Sequence, residues 1–448
     1  MSPRARTRVR ARTLGRARTY VRAGPHSAPL LLGAALAVFA CELPPPPTHN
    51  IVLIVVDTLR RDHLSVYGGS TSTPNIDALA ARGQVFSHFL ASFHQTSMSM
   101  GAMFTGRIPS IESGDPREPL PWNSSTWCGM ARFAGGSADE TCIPRALPTL
   151  SEQLREAGFW TVGVASNQFL YEPSGFGRGF DDWTEVDERA PVAGLAGRKD
   201  VENPHESRSW PRVNEAVFAA LDRRPKDRRL FLYVHYLDVH DYRFQGRSYA
   251  KSVEIQDHSI GELLAGFEER ALTASTTVVF TSDHGERLGE DHNLDFELPN
   301  NYGHYGNPSF GELLEVPLIV SPAFFSDLDT VRRTQDVFYL VQEIAGLEPE
   351  RYDDLAPDEL YVGEMSFRTY RKGRWQISLR RSDGAPFLYD LAGESDEKTN
   401  IAQAVQPRVL AFRLRINAIS EALKLAEAPQ TELSPEDEAR LRALGYLR

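Results

Sequence analysis

Five apolar runs, several of them rich in β-branched residues, constrain the fold of this 448-residue chain more than any other feature. Runs of this length are typical of strands that are covered on both faces in a parallel sheet. The runs are His49–Val56, Thr161–Ala165, Leu230–Tyr236, Thr276–Thr281 and Val316–Val320. The stretches of helical period between them are Asn75–Arg82, Thr149–Ala157, Arg212–Arg223, Ser252–Arg270 and Thr334–Ile344. This alternation predicts an α/β domain with a mostly parallel sheet flanked by helices.

The pattern changes near residue 360. Short alternating segments follow, at Tyr361–Tyr370, Arg374–Arg381 and Phe387–Asp390, and they predict a small antiparallel sheet. A helical stretch at Pro407–Ala426 comes next, and Ser434 to Leu447 is typical of a short capped helix. We therefore predict a main domain over 49–360 and a C-terminal subdomain over 361–448 that packs on it.

The first 41 residues have the layout of an export signal. Eight arginines and no acidic residue precede position 23, and the almost wholly apolar run from Ala28 to Ala40 ends directly before Cys41. The run is short for a membrane span, which needs roughly 20 residues. Lipidation of Cys41, ordinary cleavage and an uncleaved anchor all remain open, with a proline-rich linker over 42–48. We expect an exported protein of the bacterial periplasm or cell envelope, tethered to the membrane if Cys41 carries a lipid.

The net charge indicates which partners to expect, and the cysteines bear on the redox state of the compartment. The formal net charge is −11, and it becomes −19 without the arginine-rich leader. Such acidity argues against nucleic acid as a partner. Cys128 and Cys142 lie in one loop rich in small residues. In an oxidising compartment they are expected to form a disulfide, and otherwise a pair of free thiols.

Polar side chains follow four of the predicted strands. In parallel sheets, ligands collect outside the carboxyl ends of the strands, so these side chains predict the functional site. They are Asp57 after the first run, Ser166 and Asn167 after the second, His235, Asp238 and His240 at the third, and Asp283 with His284 after the fourth.

Two carboxylates and an imidazole among them suit a divalent cation. Asp57, Asp283 and His284 would share it, because buried carboxylates must be paired, hydrogen-bonded or bound to metal. Mixed oxygen and nitrogen ligation leaves Ca²⁺, Mg²⁺, Mn²⁺ and Zn²⁺ open. The alternative for Asp57 is a helix cap or an ion pair with Arg60 or Arg61.

A hydroxyl just ahead of a short apolar helix provides the candidate nucleophile. Thr96 would lie at the positive end of the helix dipole, which also attracts an anionic ester. Metal coordination would make its hydroxyl nucleophilic. Ser97 and Ser99 compete with Thr96, and all three could merely cap the helix.

Four histidines complete the candidate set. Hydrolysis of an anionic ester needs positive charge on the non-bridging oxygens and a proton for the leaving group, and imidazoles supply both near neutral pH. We assign catalytic roles to His240 and His304, and substrate binding to His235 and His292.

Ordered motifs over nearly all of the chain after residue 48 resemble those of the sulfatases within the alkaline phosphatase superfamily. The loop from Ser110 to Arg145 is the main insertion. The matching segments are Asn50–Arg60, Thr73–Asp77, Leu79–Gly83, Phe104–Gly106, Gly175–Asp181, Val234–His240, Ser282–Glu286, Glu315–Ile319, Leu388–Leu391 and Leu441–Leu447. The resemblance implies an alkaline-phosphatase-like fold, with 49–360 as its catalytic domain.

The resemblance also implies roles for single residues. It places Asp57, Asp283 and His284 on metal ligands, with Ca²⁺ as the favoured ion. It places His240 on a substrate-binding and leaving-group residue and His304 on a basic residue that contacts the ester. The substrate would be a small-molecule, glycan or lipid-headgroup ester.

The nucleophile motif departs from the family pattern. Sulfatases carry a Cys or Ser that is oxidised to formylglycine within Cys-x-Pro-Ser-Arg, whereas this chain has Thr96-Ser97-Met98-Ser99-Met100. Threonine cannot become formylglycine, so no formylglycine is expected. Thr58 stands in place of a second metal-binding Asp. Asn167 lies near the position of a common substrate-binding Lys, and we assign it to substrate binding.

Three hypotheses follow from these departures. The first is a metal-dependent hydrolase of sulfate or phosphate esters with a hydroxyl nucleophile. The second is a hydrolase or transferase of phosphoethanolamine or phosphoglycerol groups, because superfamily relatives of that kind use threonine. The third is an inactive binding protein that keeps the fold.

Overall fold

A seven-stranded sheet forms the centre of the main domain in the computed structural model of this chain. The structure describes residues 49–109, 111–112, 115, 117, 143, 145, 147–167, 169–186, 209–294, 296, 298, 302–304, 307–324, 332–392 and 397–423. The predicted leader, the linker, the Cys128–Cys142 pair and the helix predicted from Ser434 to Leu447 lie outside these residues. In the described part of the chain, no helix combines the length and apolarity that a bilayer crossing requires.

Thirteen strands and eight α-helices are found among the described residues. The strands are β1 (Asn50–Val56), β2 (Gln84–Val85), β3 (Trp160–Ala165), β4 (Asp182–Glu185), β5 (Leu230–Tyr236), β6 (Thr276–Thr281), β7 (Arg287–Leu288), β8 (Tyr302–Gly303), β9 (Leu318–Ser321), β10 (Glu359–Gly363), β11 (Phe367–Lys372), β12 (Trp375–Arg380) and β13 (Pro386–Asp390). The helices are α1 (Pro74–Ala80), α2 (Thr96–Thr105), α3 (Leu150–Glu156), α4 (Trp210–Asp222), α5 (Tyr249–Glu269), α6 (Gly311–Leu314), α7 (Asp336–Ala345) and α8 (Gln406–Ala422).

The central sheet has the order β2-β9-β6-β1-β5-β3-β4. The five strands from β6 to β4 run parallel, whereas β9 pairs antiparallel with β6 and β2 pairs antiparallel with β9. This confirms the predicted α/β class with a mostly parallel sheet. Sequence patterning did not indicate β4, because its residues Asp182-Trp183-Thr184-Glu185 are largely polar and lie at the sheet edge.

Strand register brings the predicted site residues to one edge. Val55 of β1 pairs with His235 of β5 on one side and with Thr281 of β6 on the other. Ala165 of β3 also pairs with His235. The carboxyl ends of these four strands are therefore level, and the residues that follow them meet.

Alternate residues of β1 face two separate apolar layers. Ile51, Leu53 and Val55 pack in the layer that contains residues of α2, α3 and α7. The layer on the other face contains Val52 and Ile54, with residues of α1, α4 and α5. A strand alternates its side chains across the sheet, so β1 is apolar throughout because both faces are covered.

The C-terminal part contains the predicted antiparallel sheet, in the order β10-β11-β12-β13, with α8 packed against it. One predicted segment, Tyr361–Tyr370, is wrong as a single element, since it forms two strands of a hairpin. The carboxylate of Glu364 accepts hydrogen bonds from the backbone N–H groups of Ser366 and Phe367, and this turn separates β10 from β11.

Candidate active site

Asp57 and Asp283 each use one carboxylate oxygen for protein contacts. Asp283 Oδ1 accepts from the backbone N–H groups of Thr58 (3.2 Å) and His284 (2.9 Å). Asp57 Oδ2 accepts from Asn167 Nδ2 (2.7 Å) and from the Thr96 hydroxyl (3.3 Å). Asp57 Oδ1 and Asp283 Oδ2 are buried and have no hydrogen-bond partner in the described part of the chain.

These two oxygens and the His284 imidazole fit a divalent cation. Ligand atoms of Asp57, Asp283 and His284 lie within 4.8 Å of one another, and all three residues are buried. Burial and the negative charge of Asp283 raise the pKa of Asp57 well above its ordinary value. Burial lowers the pKa of His284 to about 4, so its imidazole is neutral, as a ligand requires. A bound cation would offset the repulsion between the carboxylates.

Thr58 shapes the turn that follows β1 and does not offer a ligand. Its φ of 59° lies in the left-handed region, which is uncommon for a β-branched residue. Its hydroxyl donates to the carbonyl of Asp57 (2.7 Å), while its N–H supports Asp283. The position at which the family carries a second Asp therefore orients the other ligands here.

Thr96 is the first residue of α2, and its hydroxyl points at the candidate metal ligands. Its Oγ1 lies 3.3 Å from Asp57 Oδ2 and 3.4 Å from His284 Nε2. The competing hydroxyl of Ser99 instead donates to the carbonyl of Asp283 (2.6 Å). Among the hydroxyls of this segment, the contacts favour Thr96 as nucleophile.

Asn167 links the candidate metal site to the candidate nucleophile. Besides its bond to Asp57, its Nδ2 lies 3.4 Å from Thr96 Oγ1, and its Oδ1 accepts from the N–H of Phe169 (2.8 Å). The backbone bond fixes the orientation of the amide, so the NH₂ group faces the site. An uncharged donor thus occupies this position.

His240 is paired with the carboxylate of its neighbour Asp241, with 2.9 Å between His240 Nδ1 and Asp241 Oδ1. Burial opposes the charging of His240. The hydrogen bond with Asp241 and the charge of Asp57 outweigh it and raise the pKa of His240 to about 10. His240 therefore carries a proton at neutral pH and can donate it.

His304 forms a second imidazole–carboxylate pair. Its Nδ1 donates to Glu286 Oε2 (2.7 Å), and its ring centroid lies 5.6 Å from that of His240 and 4.6 Å from that of His284. Burial and the charge of His240 lower the pKa of His304 well below its ordinary value. It is therefore a neutral imidazole held beside the candidate metal ligands.

Sequence reasoning missed three residues that orient this site. Asp241 and Glu286 hold His240 and His304, the two candidate catalytic histidines, and His94 donates from Nδ1 to the backbone carbonyl of His304 (2.6 Å). Burial lowers the pKa of His94 to about 4. The available signal was closeness in the sequence. Asp241 directly follows His240, Glu286 lies two residues after His284, and His94 lies two residues before Thr96.

His235 lies buried beside Asp57, with 3.8 Å between its Nε2 and Asp57 Oδ2. Neither ring nitrogen has a hydrogen-bond partner in the part of the chain that the structure describes. Burial lowers the pKa of His235 to about 4, so the ring is neutral. Its predicted substrate-binding role is compatible with this placement.

Three predicted positions have other contacts. Asp238 accepts from the backbone N–H groups of Ser209 and Trp210 at the start of α4. Ser166 donates to the carbonyl of His235 (3.0 Å), which supports the strand end. His292 donates to Glu312 (2.7 Å) and stacks on Phe310 at 3.6 Å between ring centroids. These contacts point the three side chains to partners other than the candidate metal ligands, so position near a strand end was too broad a criterion.

Comparison with known proteins gives the relationships of this fold and site. A family model described as Sulfatase matches residues 49–324. N-acetylgalactosamine-6-sulfatase of Rattus norvegicus is 28% identical over an alignment of 288 positions, which covers 57% of this chain and 53% of that protein. The chain thus spans about half the length of the curated relatives it matches.

Solved structures share the fold over more of the chain. A 2-O GAG sulfatase superposes with a TM-score of 0.61 at 15% identity, covering 86% of this chain and 96% of the other. Phosphonate monoester hydrolase of Agrobacterium radiobacter superposes with a TM-score of 0.55 at 16% identity, covering 83% and 96%. These likenesses and the matched family model confirm the predicted family. This chain belongs to the sulfatase family.

Proposed function

We propose that this chain is a metal-dependent hydrolase of sulfate esters with Thr96 as its nucleophile. The observation that carries the proposal is the position of the Thr96 hydroxyl, 3.3 Å from Asp57 and 3.4 Å from His284. The remaining oxygens of Asp57 and Asp283 converge beside it and have no hydrogen-bond partner within the described part of the chain. When bound there, a divalent cation would supply positive charge that favours the alkoxide of Thr96 and the oxygens of the ester.

The residues can carry the reaction through two displacements. Thr96 Oγ1 attacks the sulfur, the bond from sulfur to the alcohol oxygen breaks, and the threonine proton passes to Asp57 Oδ2. His240 gives its proton to the departing alcohol. Water then attacks the sulfur of the threonine ester and gives a proton to neutral His240, while Thr96 leaves and regains its own proton. The second proton of the water stays on the sulfate, so the products are the alcohol and hydrogen sulfate, which releases that proton to solvent.

Charge favours an ester that carries one negative charge. Within the described part of the chain, the side chains of Thr96 and Asn167 form no hydrogen bond with a lysine or an arginine. A cation between two carboxylates is formally neutral, so His240 supplies the main net positive charge. Sulfate monoesters and phosphodiesters are monoanions, whereas a phosphate monoester is a dianion near neutral pH. Charge therefore supports both kinds of monoanionic ester, and the sulfatase family of this chain favours a sulfate monoester as the substrate.

A phosphodiester is the second candidate, because a threonine oxygen can receive a phosphoryl group in the same displacement. A phosphodiester carries the same charge as a sulfate monoester, and attack by the Thr96 hydroxyl does not require formylglycine. Transfer to an acceptor alcohol in place of water would make the chain a transferase of phospho groups. An inactive binding protein is the third hypothesis.

Turnover by the full chain tests these proposals. The protein is stripped with a chelator, reloaded separately with Ca²⁺, Mg²⁺, Mn²⁺ or Zn²⁺, and assayed on p-nitrophenyl sulfate, p-nitrophenyl phosphate and bis(p-nitrophenyl) phosphate. We expect sulfate turnover that at least one ion restores, with a drop of about 10³-fold or more in Thr96→Ala. Ser97→Ala, which removes the neighbouring hydroxyl, is the matched control and should keep the activity.

Each other outcome has a definite meaning. Diester turnover without sulfate turnover supports the second candidate, and no turnover with any ion supports the third. Equal activity in Thr96→Ala and Ser97→Ala would remove Thr96 from the mechanism. Mass spectrometry of a quenched reaction should find the modified residue in the peptide that contains Thr96.

We further propose that the protein acts outside the cytoplasm. The arginine-rich and apolar segments before Cys41 support this. Fractionation of bacterial cells that express the full chain should place it in the periplasm or envelope. If Cys41 is lipidated, Cys41→Ala should shift the protein from the membrane to the soluble fraction.

A further inference from the structure

A cavity lies between the main domain and the C-terminal sheet. Its volume is about 430 Å³, which is within the range of small-molecule sites. Arg61 and Leu90 line it from the main domain, and Arg371 and Arg374 line it from the hairpin of β11 and β12. Among the described residues that line it, none is a candidate metal ligand, nucleophile or catalytic histidine. We call this second site the junction cavity.

The described walls of the junction cavity carry more positive than negative side chains. The arginines are Arg61, Arg332, Arg333, Arg371 and Arg374. The carboxylates are Glu315, Asp358 and Glu359. Five arginines and three carboxylates leave an excess of two positive charges, in a chain whose formal net charge is −11. A cleft lined by charge of one sign concentrates ligands of the opposite sign.

Ion pairs just behind the walls do not remove this excess. Some of the lining residues pair with charged groups outside the cavity, and among the described residues these groups are three carboxylates and three cations. They are Asp336, Asp353 and Asp390, and Arg351, Lys372 and Arg415. Because the two sets cancel, the positive charge of the walls is still available to a ligand.

One carboxylate is shared by arginines from opposite sides of the cavity. Glu315 Oε2 accepts from Arg61, and Glu315 Oε1 accepts from Arg371 through both NH₂ groups, each at 3.3 Å. All three side chains are partly buried. A single negative charge therefore faces two guanidinium groups, and water screens these charges less than it would at an open surface.

The rest of the described wall is mainly apolar. Leu90 contributes from the main domain, and Pro357, Leu391 and Ala392 contribute from the C-terminal part. Apolar walls with a few charged groups at fixed places are typical of sites for small organic molecules. Guanidinium groups suit carboxylate, sulfate and phosphate, because their planar fork of N–H donors matches two oxygens at once.

We propose that the junction cavity binds a small organic molecule that carries two or more oxyanion groups. Arg61 and Arg371 would hold one group beside Glu315, and Arg374 at the hairpin would meet another. The apolar walls would contact the body of the molecule. This ligand is distinct from the ester that reacts at Thr96, so the proposal does not depend on the proposed function.

Titration calorimetry on the full chain tests the proposal. The probes are benzene-1,3,5-tricarboxylate and inorganic pyrophosphate, with benzoate as the single-charge comparison, at constant ionic strength and with a chelator present. We expect at least one polyanion to bind about 10-fold or more tightly than benzoate, and added salt to weaken it. The stronger of the two polyanions shows whether carboxylate or phosphate groups are preferred.

Substitutions then locate the bound polyanion. Arg371→Gln should weaken it about 10-fold. His88→Glu adds a negative charge at an exposed residue of the main-domain wall and should weaken it about 3-fold or more. Arg155→Gln removes an exposed arginine of α3 as a control and should leave the affinity unchanged. Asp283→Asn alters the candidate metal site and should also leave it unchanged.

Three results would overturn the proposal. The first is that neither polyanion binds more tightly than benzoate. The second is binding that Asp283→Asn abolishes and Arg371→Gln leaves unchanged, which would place the polyanion at the candidate active site. If Arg371→Gln does not fold, His88→Glu decides the question, and an unchanged affinity in that variant is the third. Hydrolysis of p-nitrophenyl sulfate is measured separately, so the proposed function is unaffected by any of these results.

Discussion

At the scale of the residue, the main feature of the site is that the two oxygens of each carboxylate, in Asp57 and in Asp283, have different contacts. One oxygen of Asp57 and one of Asp283 accept hydrogen bonds from the protein, which orients each group. The other oxygen of each is buried without a partner among the described residues. A buried charge of this kind is costly unless something pairs with it, so the pair is most stable with a cation between them.

Asn167 gives a prediction at this scale. Asn167→Ala removes the donor to Asp57, and we expect kcat/KM to fall about 10²-fold, as for other positioned donors. Asn167→Asp should be worse, because it places a third carboxylate against Asp57 in a buried site. Kinetics with p-nitrophenyl sulfate measure both. Equal losses in the two variants would contradict the electrostatic reason, and unchanged circular dichroism confirms that both fold.

Glu364 predicts a pH dependence of stability. Burial raises its pKa from 4.5 to about 8, although the N–H groups of Ser366 and Phe367 favour its charged form. A raised carboxyl pKa means that the folded state binds the proton more tightly than the unfolded state. The stabilisation is therefore complete below the unfolded-state pKa and is lost as the pH rises through the folded-state pKa.

Glu364→Gln measures this effect, because glutamine keeps an acceptor oxygen and cannot ionise. The free energy of unfolding of the parent should fall relative to the variant by up to about 1.4 kcal/mol per pH unit between the two pKa values. Urea unfolding at a series of pH values gives the difference. A difference that does not change with pH would show that Glu364 titrates alike in both states.

At the scale of the element, the N-terminus of α2 decides which hydroxyl faces the candidate metal ligands. Thr96 is its first residue, so its side chain faces the end of the sheet, while Ser99 lies one turn further and bonds to the backbone of Asp283. The left-handed Gly106 ends the helix, with a φ of 67°. A Cβ at Gly106 would lie 2.6 Å from the Phe338 ring of α7, which shows how tightly this helix is packed.

The start of α3 gives a prediction for an element. Thr149 and Glu152 form a capping box, in which each side chain accepts from the backbone N–H of the other residue. Thr149→Ala should lower the free energy of unfolding by about 1 kcal/mol, whereas Thr149→Ser keeps the hydroxyl and should cost much less. Thermal or urea unfolding measures both, and equal losses would show that the methyl group matters more than the cap.

At the scale of the whole molecule, a buried polar network joins the C-terminal sheet to the main domain. Glu112, in the segment after α2, accepts from Arg381 through both guanidinium NH₂ groups, and also from Tyr361 and from Ser420 of α8. Neither Glu112 nor Arg381 has appreciable exposure. This network supports packing of the C-terminal subdomain on the main domain; the boundary near 360 stays an interpretation.

Removing only one partner of the Glu112–Arg381 ion pair should lower the free energy of unfolding more than removing both partners does. Arg381→Met leaves a buried carboxylate without its cation and should cost about 3 to 5 kcal/mol in the free energy of unfolding. The double variant Glu112→Gln with Arg381→Met should recover a large part of that loss. If the double variant loses as much free energy of unfolding as Glu112→Gln and Arg381→Met lose together, an ion-pair origin is contradicted.

Metal removal also acts on the whole molecule. A cation that binds only the folded state adds about 2.7 kcal/mol to stability at a concentration 100 times its Kd. Chelation should therefore lower the Tm of the parent, and the correct ion should restore it. Asp283→Asn is the control, since its Tm should respond little to either treatment; equal responses would place the cation elsewhere.

Much of the fold and of the candidate site could be predicted from local sequence. The apolar runs located β1, β3, β5, β6 and β9, because buried parallel strands are apolar on both faces. The strand-end rule brought Asp57, Asp283 and His284 together, since level carboxyl ends meet at one edge. It failed for Asp238, because a carboxylate at a strand end can equally hold the start of a neighbouring helix.

The sequence by itself determined the α/β class and the candidate metal ligands, because each depends on periodicity or on residues beside a strand end. The preference for Thr96 over Ser99 as candidate nucleophile needed the tertiary contacts. Only the tertiary structure decided the charge of His240, the neutral state of His304 and the approach of Arg61 and Arg371 to one carboxylate. Burial and partners set these properties, and both come from segments that are distant along the chain.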